Sequence, residues 1–268
     1  MSTALYAVMG WPVVHSASPA IHTAAFDTLG IPAVYLRLPV PPGRAAAAIA
    51  SLWALGARGA SVTAPHKVAI AGLCQDLARS ARRTGTVNTL LIEEGSVTGH
   101  DTDAEGLRRF LLEDARLDLA GLTALVLGGG GAARACAVAL SGLAGRLVVA
   151  ARGAAAGAEV ADLFEGPSTV IPFVEAGEAQ ADLLLNATPL GWRGEDVAVD
   201  PRPGQVVVDL VYRETPLLRR AWAVGAVAHD GRGMLLRQAA LSFRLWTGED
   251  PPLEAMRAAL DGVLTSAD

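Results

Sequence analysis

The sequence predicts an α/β fold with two domains, of which the second is a doubly wound parallel sheet. Short apolar runs alternate with helix-like segments along the 268-residue chain, as in parallel sheets that are covered on both faces. Four consecutive glycines, 128–131, separate one such run from the helix that follows. The pattern changes near Asp103, where hairpin-like strands give way to repeated strand–helix units. A chain of this length can give each domain its own core.

The first domain is an N-terminal α/β domain, predicted over residues 1–103. Ser18 and Pro19 are predicted as the N-cap and first residue of its first helix, and Gly30 follows the helix end. Two neighbouring runs at the end of the domain predict a β-hairpin. The predicted strands are 5–9, 34–38, 59–63, 89–93 and 96–99, and the predicted helices are 19–29, 44–55 and 68–81.

The second domain, predicted over residues 104–235, consists of apolar strands and helices in alternation. Its strands are continuous apolar runs, which indicates burial on both faces of a parallel sheet. Two further helices are predicted after it, and they contain Trp, Phe and Leu side chains suited to anchoring them. The predicted strands are 124–127, 146–151, 183–186 and 206–210, and the predicted helices are 104–114, 132–143, 235–246 and 252–264.

Composition and charge argue against several classes of protein. Hydrophobic residues make up 51% of the chain and charged residues 18%, which is typical of a folded protein. A net charge of −5 without a basic block argues against a nucleic-acid partner. Apolar stretches stop short of membrane-spanning length and no signal peptide is apparent, so we expect a cytoplasmic protein without membrane contact. Cys74 and Cys136 form no metal or disulfide pattern, and we expect free thiols and no metal site.

The glycine cluster predicts a dinucleotide site on a Rossmann-like domain. Gly128, Gly130 and Ala133 fit the pattern G-x-G-x-x-A, directly after a predicted strand and before a predicted helix. The first glycine permits a tight turn, the second admits a pyrophosphate, and the small sixth residue permits close packing of helix and strand. The phosphates would lie at the positive N-terminus of the helix. The alternative is a tight glycine turn that binds nothing.

Arg152, at the end of the next predicted strand, indicates which dinucleotide is bound. NAD binding requires an acidic residue there for the ribose 2′-hydroxyl, whereas NADP requires a cation for the 2′-phosphate. The sequence has Arg152 and no neighbouring acid, since Glu159 lies further along. We therefore predict NADP, the alternative being an arginine that is merely solvated.

Hydroxyl groups at the start of the first helix predict an anion site in the first domain. Ser16 and Ser18 lie two positions apart where the helix begins. Hydroxyl donors, free amides and the helix dipole converge there, which suits a carboxylate. The alternative is that Ser18 only caps its helix.

Lys67 and Asp103 are candidates for proton transfer. Lys67 follows a predicted strand that ends in polar residues, and a lysine with a tuned pKa can donate or accept a proton. Asn88 and Asp103 flank the predicted hairpin, so folding it could bring them together. A carboxylate near Lys67 would hold the amine charged and oriented. The alternative for Lys67 is a surface lysine without a role.

Seven segments, taken together and in order, resemble the shikimate dehydrogenase family over nearly the whole chain. They resemble its motifs G-x-P-x-x-H-S-x-S-P-x-x-H (10–22), N/S-V-T-x-P-x-K (61–67), G-A-V-N-T-L (85–90), G-x-N-T-D-x-x-G (99–106), the glycine loop (127–134), N-A-T-P-x-G (186–191) and D-G-x-x-M-L-x-x-Q-A (230–239). The chain departs from the family at Asp101, which replaces an asparagine, and at Ala151 and Gly153, which flank Arg152 where the family has N-R-T. The stretch 212–216 is shorter than usual.

The resemblance implies a role for each matching position. Lys67 and Asp103 would form the catalytic pair. Ser16 and Ser18 would bind the substrate carboxylate. Residues 1–103 and 236–268 would form the substrate-binding catalytic domain, and 104–235 the NADP-binding domain. The remaining implied residues are Thr63, Asn88 and Gln238 for the ring hydroxyls, Tyr212 lining the cleft, Gly128, Gly130, Gly131, Ala132 and Arg152 for NADP, and Thr188 and Met234 near the nicotinamide.

The activity implied by the resemblance is the NADP-dependent, reversible reduction of 3-dehydroshikimate to shikimate. It belongs to the shikimate pathway of aromatic amino acid biosynthesis, and the enzyme would be a monomer or homodimer. Two alternatives stay open. One is a quinate/shikimate dehydrogenase that prefers NAD, and the other is a non-catalytic module that senses a dinucleotide for a regulatory partner.

Overall fold

The computed structural model of the chain describes residues 3–93 and 95–265. The chain divides into two compact units. The first unit runs to Thr102 and resumes at Leu236, and the second unit is Asp103–Leu235. The boundary between them falls one residue before the one drawn from the sequence.

A mixed six-stranded sheet forms the centre of the first unit, in the order β2-β1-β3-β5-β6-β4. The first three strands pair in parallel, whereas β5 runs antiparallel to both β3 and β6. The hairpin prediction is therefore confirmed. The strands are β1 (Ala4–Gly10), β2 (Ala33–Pro39), β3 (Gly59–Val62), β4 (Asp76–Leu77), β5 (Thr89–Glu93) and β6 (Ser96–His100).

The helices of the first unit correct two predictions. Helix α1 (Ser18–Thr28) has Ala17 as its N-cap, and Ser18 is its first residue rather than its cap, because the Ser16 Oγ already accepts the Ser18 amide at 3.3 Å. The predicted helix 68–81 is wrong: it divides into α3 (Lys67–Ala71) and α4 (Arg79–Thr84). Gly72 ends α3, and the chain then pairs with β6 as the short strand β4. Helix α2 (Ala45–Ala54) lies close to its predicted position.

The second unit is a parallel sheet of six strands, in the order β12-β11-β10-β7-β8-β9. Every pair in it is parallel, so the prediction of a doubly wound parallel sheet is confirmed. Its strands are β7 (Thr123–Leu127), β8 (Arg146–Ala151), β9 (Ser168–Pro172), β10 (Leu183–Asn186), β11 (Val206–Asp209) and β12 (Val227–His229). Its helices are α5 (Asp103–Arg109), α6 (Gly131–Leu140), α7 (Ala154–Ala161) and α8 (Pro216–Ala223), with a π-helical turn over Phe110–Asp114 and a 3₁₀ turn over Phe173–Glu178.

Strand β7 shows why the apolar runs of this unit are continuous. Ala124 and Val126 belong to one hydrophobic cluster, and Leu125 and Leu127 belong to another. Successive side chains of a strand point to opposite faces, so this sheet is packed on both faces, and positions 124–127 are all apolar.

Two final helices complete the chain, α9 (Arg232–Thr247) and α10 (Leu253–Thr265). From Leu236 onward they belong to the first unit. There the indole nitrogen of Trp246 donates to the Leu90 carbonyl at 2.9 Å, and a Cβ at Gly59 would lie 2.2 Å from that nitrogen. Glycine at position 59 therefore makes room for the anchoring tryptophan. Across residues 3–93 and 95–265, no helix combines the length and the apolar character needed to cross a membrane.

Candidate active site

The glycine loop of the second unit follows strand β7 at the point where the strand order of the sheet reverses. Gly128 has φ +124°, a backbone conformation that residues other than glycine rarely adopt. A Cβ on Gly128 would lie 3.2 Å from the Ala187 carbonyl oxygen and 3.4 Å from the Thr188 side chain. The loop thus packs against the segment that follows β10. In doubly wound sheets this switch point is where ligands bind.

The start of helix α6 has the form that a pyrophosphate requires. Gly130 is extended and caps the ten-residue helix, which begins at Gly131. Apart from its chain neighbours, no atom of the described residues lies within 4 Å of the position where a Cβ of Gly130 would be. Ala133 is fully buried against the sheet. The backbone amides of the first turn are therefore approachable, and the residues fit a dinucleotide.

Arg152 follows strand β8 and is exposed. Gly129 of the glycine loop lies against Ala151, since its Cβ would be 3.6 Å from that of Ala151. Arg152 is therefore the chain neighbour of Ala151, which contacts the glycine loop. A second cation of this region, Arg134, forms an ion pair with Glu159 of α7.

A buried carboxyl joins the residues around Thr188, and the sequence reasoning missed it. Asp209, at the end of β11, accepts hydrogen bonds from the Asn186 amide at 2.9 Å and the Thr215 hydroxyl at 2.7 Å. Asn186 in turn accepts from the Thr188 hydroxyl at 2.6 Å. Burial raises the pKa of Asp209 to about 6, although these hydrogen bonds oppose the shift. The network holds the segments after β10 and β11 in a fixed relation.

Two further predicted residues of the second unit are well packed. The ring of Tyr212 meets Trp192 edge to face, with 4.8 Å between centroids. Met234 is 8% exposed and belongs to a hydrophobic cluster of this unit.

In the first unit, Ser16 and Ser18 are brought together. Their hydroxyl oxygens are 3.2 Å apart, and both side chains are buried. They lie where β1 has ended and the eleven-residue helix α1 begins; the Ser18 amide already donates to the Ser16 hydroxyl, and Pro19 has no N–H. A small anion held there would meet two hydroxyl groups at the positive end of the helix dipole.

Asn88 is the centre of a buried polar network in the same unit. Its amide nitrogen donates to the Thr102 hydroxyl at 2.9 Å and to the Gln238 carbonyl oxygen at 3.3 Å, so two predicted substrate residues 150 positions apart are in contact. Its oxygen accepts from the Thr102 amide at 2.8 Å. Thr89 and Ser242 complete the network, with 2.7 Å between their hydroxyls. Thr102, Thr89 and Ser242 were missed from sequence, because a buried hydroxyl without a motif carries no signal.

The two candidates for proton transfer lie at helix starts. Lys67 is the first residue of α3 and is half-buried, and its carbonyl accepts the Val87 amide at 2.9 Å. Asp103 is the first residue of α5 and is 4% exposed. Thr63 is half-buried after β3. Within residues 3–93 and 95–265, no cluster of three or more His, Cys, Asp or Glu side chains could hold a metal ion.

A doubly wound parallel sheet with a glycine turn at its switch point defines a dinucleotide-binding oxidoreductase fold. The family model "Shikimate dehydrogenase substrate binding domain" matches residues 8–90, and the model "Shikimate 5′-dehydrogenase C-terminal domain" matches residues 231–260. The chain belongs to the shikimate dehydrogenase family.

Curated and solved relatives agree with this assignment. A protein of Geobacter sp. strain M21 named shikimate dehydrogenase (NADP⁺) is 43% identical over 276 residues, covering 96% of this chain and 94% of the relative. The shikimate 5-dehydrogenase of Thermus thermophilus, solved with NADP(H) and shikimate, is 36% identical with a TM-score of 0.84, covering 98% of this chain and 100% of the other. That of Listeria monocytogenes, solved with shikimate and NAD, is 28% identical with a TM-score of 0.84, covering 96% of each.

Proposed function

We propose that this chain catalyses the NADP-dependent, reversible reduction of 3-dehydroshikimate to shikimate in aromatic amino acid biosynthesis. The observation that carries the proposal is the 43% identity to a relative named NADP-dependent shikimate dehydrogenase, over 96% of this chain. The Thermus relative binds both NADP(H) and shikimate. We expect a cytoplasmic enzyme that acts on a small-molecule substrate as a monomer or homodimer.

The second unit supplies the residues that would hold NADP. The backbone of Gly128, Gly130, Gly131 and Ala132 would bind the pyrophosphate at the start of α6, because Gly130 leaves the entry to the helix open. Arg152 would bind the 2′-phosphate, and Thr188 and Met234 would lie near the nicotinamide. When bound, the reduced cofactor supplies a hydride to the ketone carbon of the substrate.

The first unit, with Asp103, supplies the substrate residues. Ser16 and Ser18 would donate to the carboxylate. Thr63, Asn88 and Gln238 would bind the ring hydroxyls, and Asn88 and Gln238 are already in contact. Tyr212 would also bind the substrate. Each of these polar groups rejects analogues that lack its partner, because an unmatched buried donor is costly.

Lys67 would protonate the oxygen on which negative charge develops as the ketone is reduced. Asp103 would hold the amine charged and aimed at that oxygen. In the reverse direction, Lys67 would accept the proton from the hydroxyl of shikimate. The reaction thus needs one amine and one carboxylate beside the reacting carbon.

A parallel assay tests the proposal. NADP and NAD are compared as oxidants of shikimate, and quinate is compared with shikimate, by the absorbance of the reduced cofactor. We expect turnover of shikimate with NADP and a higher kcat/KM than with NAD. No turnover of shikimate with either cofactor would contradict the proposal.

The same assay decides between the alternatives. The Listeria relative was solved with NAD, which keeps an NAD-preferring quinate/shikimate dehydrogenase as a second candidate. A higher kcat/KM with NAD and activity on quinate would favour it. Binding of NADPH without turnover of either acid would favour the non-catalytic module.

A further inference from the structure

Strand β2 carries two polar side chains that contact the segment of Ser16 and Ser18. Tyr35 and Arg37 lie two positions apart on this strand, so they point to the same face of the sheet. We infer that Tyr35 and Arg37 are positioning residues that hold the two serines in the geometry required for a substrate carboxylate. The inference rests on the proposed function, since it assumes that the serines bind the carboxylate of shikimate.

The phenol of Tyr35 lies beside two serine hydroxyls. It donates to the Ser61 hydroxyl of β3 at 2.7 Å, and the nearby Ser18 hydroxyl acts against the burial that raises the pKa of the phenol. Ser18 in turn accepts from Ser16. All four side chains are buried, and they form two hydrogen-bonded pairs, Ser16 with Ser18 and Tyr35 with Ser61. A phenol has one proton, which here goes to Ser61, so on the side of Ser18 the Tyr35 oxygen can only accept a hydrogen bond.

The ring of Tyr35 is itself held in place by aromatic packing. His22 of α1 stacks on it with 4.6 Å between centroids and 7° between planes, and Trp246 lies 6.1 Å away. His22 is fully buried, and burial lowers its pKa to about 3, so the imidazole is neutral at neutral pH. A neutral flat ring fills the space against Tyr35 without introducing a charge behind the anion site.

Arg37 holds the backbone of the same segment. Its Nε and a terminal nitrogen donate to the Ser16 carbonyl oxygen at 3.0 and 2.7 Å. Two donors on one oxygen fix the direction of that carbonyl, and hence of the Ser16 side chain. The guanidinium also places a permanent positive charge beside the site, and after burial its charge is the second cause that lowers the pKa of neighbouring His15. An approaching carboxylate is attracted by the same charge.

The phenol is tested by Tyr35→Phe with Tyr6→Phe as a matched control. Tyr6 lies directly opposite Tyr35 on β1, is equally buried, and packs against Phe26 and Trp246 in the same aromatic group. Both variants keep the ring and remove one hydroxyl. We expect Tyr35→Phe to raise KM for shikimate by about 10-fold, with kcat and KM for NADP nearly unchanged, because one buried hydrogen bond is lost beside the carboxylate. Tyr6→Phe should behave like the wild type.

A charge-free probe separates positioning from general damage. The methyl ester of shikimate lacks the negative charge, and its inhibition constant should differ by no more than about 2-fold between wild type and Tyr35→Phe. If Tyr35→Phe weakens the ester as much as it weakens shikimate, or if it matches Tyr6→Phe, the inference is overturned. A wild-type enzyme without shikimate turnover would instead overturn the proposed function, and the inference with it.

Arg37 offers a second, independent variant because it is exposed and its replacement leaves the core intact. Arg37→Gln should raise KM for shikimate by about 5-fold, and Arg37→Lys should restore part of the loss because it keeps the charge without the paired donors. The effect of Arg37→Gln should shrink at high salt. An Arg37→Gln enzyme with the wild-type KM at low salt would overturn the role of the arginine.

Discussion

The polar site of the first unit and the glycine loop of the second are built in opposite ways. In the first unit, buried side chains bond to one another, and Asn88 alone joins Thr102 and Gln238. In the second unit, the glycine loop is backbone without side chains, as at Gly128 and Gly130. The first group is held by bonds between side chains, whereas the loop is left open where Gly130 begins helix α6.

This difference decides how each site responds to substitution. Removing a side chain from the first unit leaves its buried partners unsatisfied, so stability and substrate affinity fall together. Removing an exposed side chain of the second unit, such as Arg152, should leave the fold untouched and, on the proposed function, change only the choice of cofactor. The predictions below test this contrast, beginning with the largest effect.

The largest effect is expected at Lys67. Lys67 is the only lysine among the 22 Lys and Arg residues of the chain. Lys67→Ala should lower kcat by about 100-fold or more, with a smaller effect on substrate affinity, because the proton source is lost. Lys67→Arg should be nearly as inactive, because a guanidinium keeps its proton at all pH values relevant here. Steady-state kinetics with shikimate and NADP measure both, and near-normal turnover of either variant would reject the role.

The next effect compares the two asparagines of the chain, one in each site. Asn88→Ala leaves the Thr102 amide without its acceptor and the Thr102 hydroxyl with fewer bonds, and it should lower the free energy of unfolding by about 3 kcal/mol. Asn186→Ala should cost a similar amount, since Asn186 is bonded to Asp209 and Thr188. Chemical denaturation measures both.

The kinetic consequences of the two asparagine variants should differ. We expect Asn88→Ala to raise KM for shikimate and Asn186→Ala to raise KM for NADP, because each network supports one ligand. If both variants raised the same KM, the division of the two sites between the two units would be wrong.

The sequence predicted best those elements that local pattern determines. Strands β8 and β10 coincide with the predicted runs, because a strand buried on both faces is apolar over nearly its whole length. The break between α3 and α4 was missed because it depends on pairing of Asp76 and Leu77 with a strand about twenty residues later. Long-range pairing leaves little trace in local periodicity.

The site was predicted unevenly for a similar reason. The glycine loop is contiguous, so its pattern could be recognised directly. The contact of Asn88 with Gln238 spans 150 positions and was not predicted; only the resemblance assigned the two residues to the same role. Asp209 and Tyr35 were missed because a strand residue gives no sign of what it touches. The composition did contain one further signal, namely that Lys67 is the only lysine of the chain. In a chain that otherwise uses arginine, an amine in its place suggests that proton transfer is required.

The pH dependence of stability offers a third test, centred on His22 in the first unit. Its pKa is about 3 when folded and near 6.5 when unfolded, so the unfolded chain binds the proton first. The contribution of neutral His22 to the free energy of unfolding is therefore complete above pH 6.5. As the pH falls toward 3 this contribution is lost, by up to about 1.4 kcal/mol per pH unit. Asp209 changes the stability in the opposite direction. Its pKa is raised to about 6 in the folded protein, so the free energy of unfolding rises as the pH falls from 6 toward 4.

Comparison of wild type with His22→Phe isolates the histidine from the aspartate. Denaturation at pH 7, 6, 5 and 4 (chosen to span roughly the titration of the unfolded imidazole) gives the slope of the free energy of unfolding against pH for each protein. The variant should lose less stability than wild type over this range, whatever its stability at pH 7. Equal slopes would mean that His22 is accessible to protons in the folded state.

The smallest effect is expected at Arg152, on the rim of the second site. Arg152→Gln should lower kcat/KM for NADP by about 10-fold while leaving kcat/KM for NAD unchanged, because only NADP carries the 2′-phosphate. Unlike the asparagine variants it should not change the free energy of unfolding, since the side chain is exposed.

The nearby Arg134 is paired with Glu159, so Glu159→Gln is an informative companion. If releasing Arg134 strengthens NADP binding in the Arg152→Gln background, the second cation can substitute for the first. If Arg152→Gln lowers activity equally with both cofactors, Arg152 does not read the phosphate, and the second site discriminates between cofactors by its backbone alone.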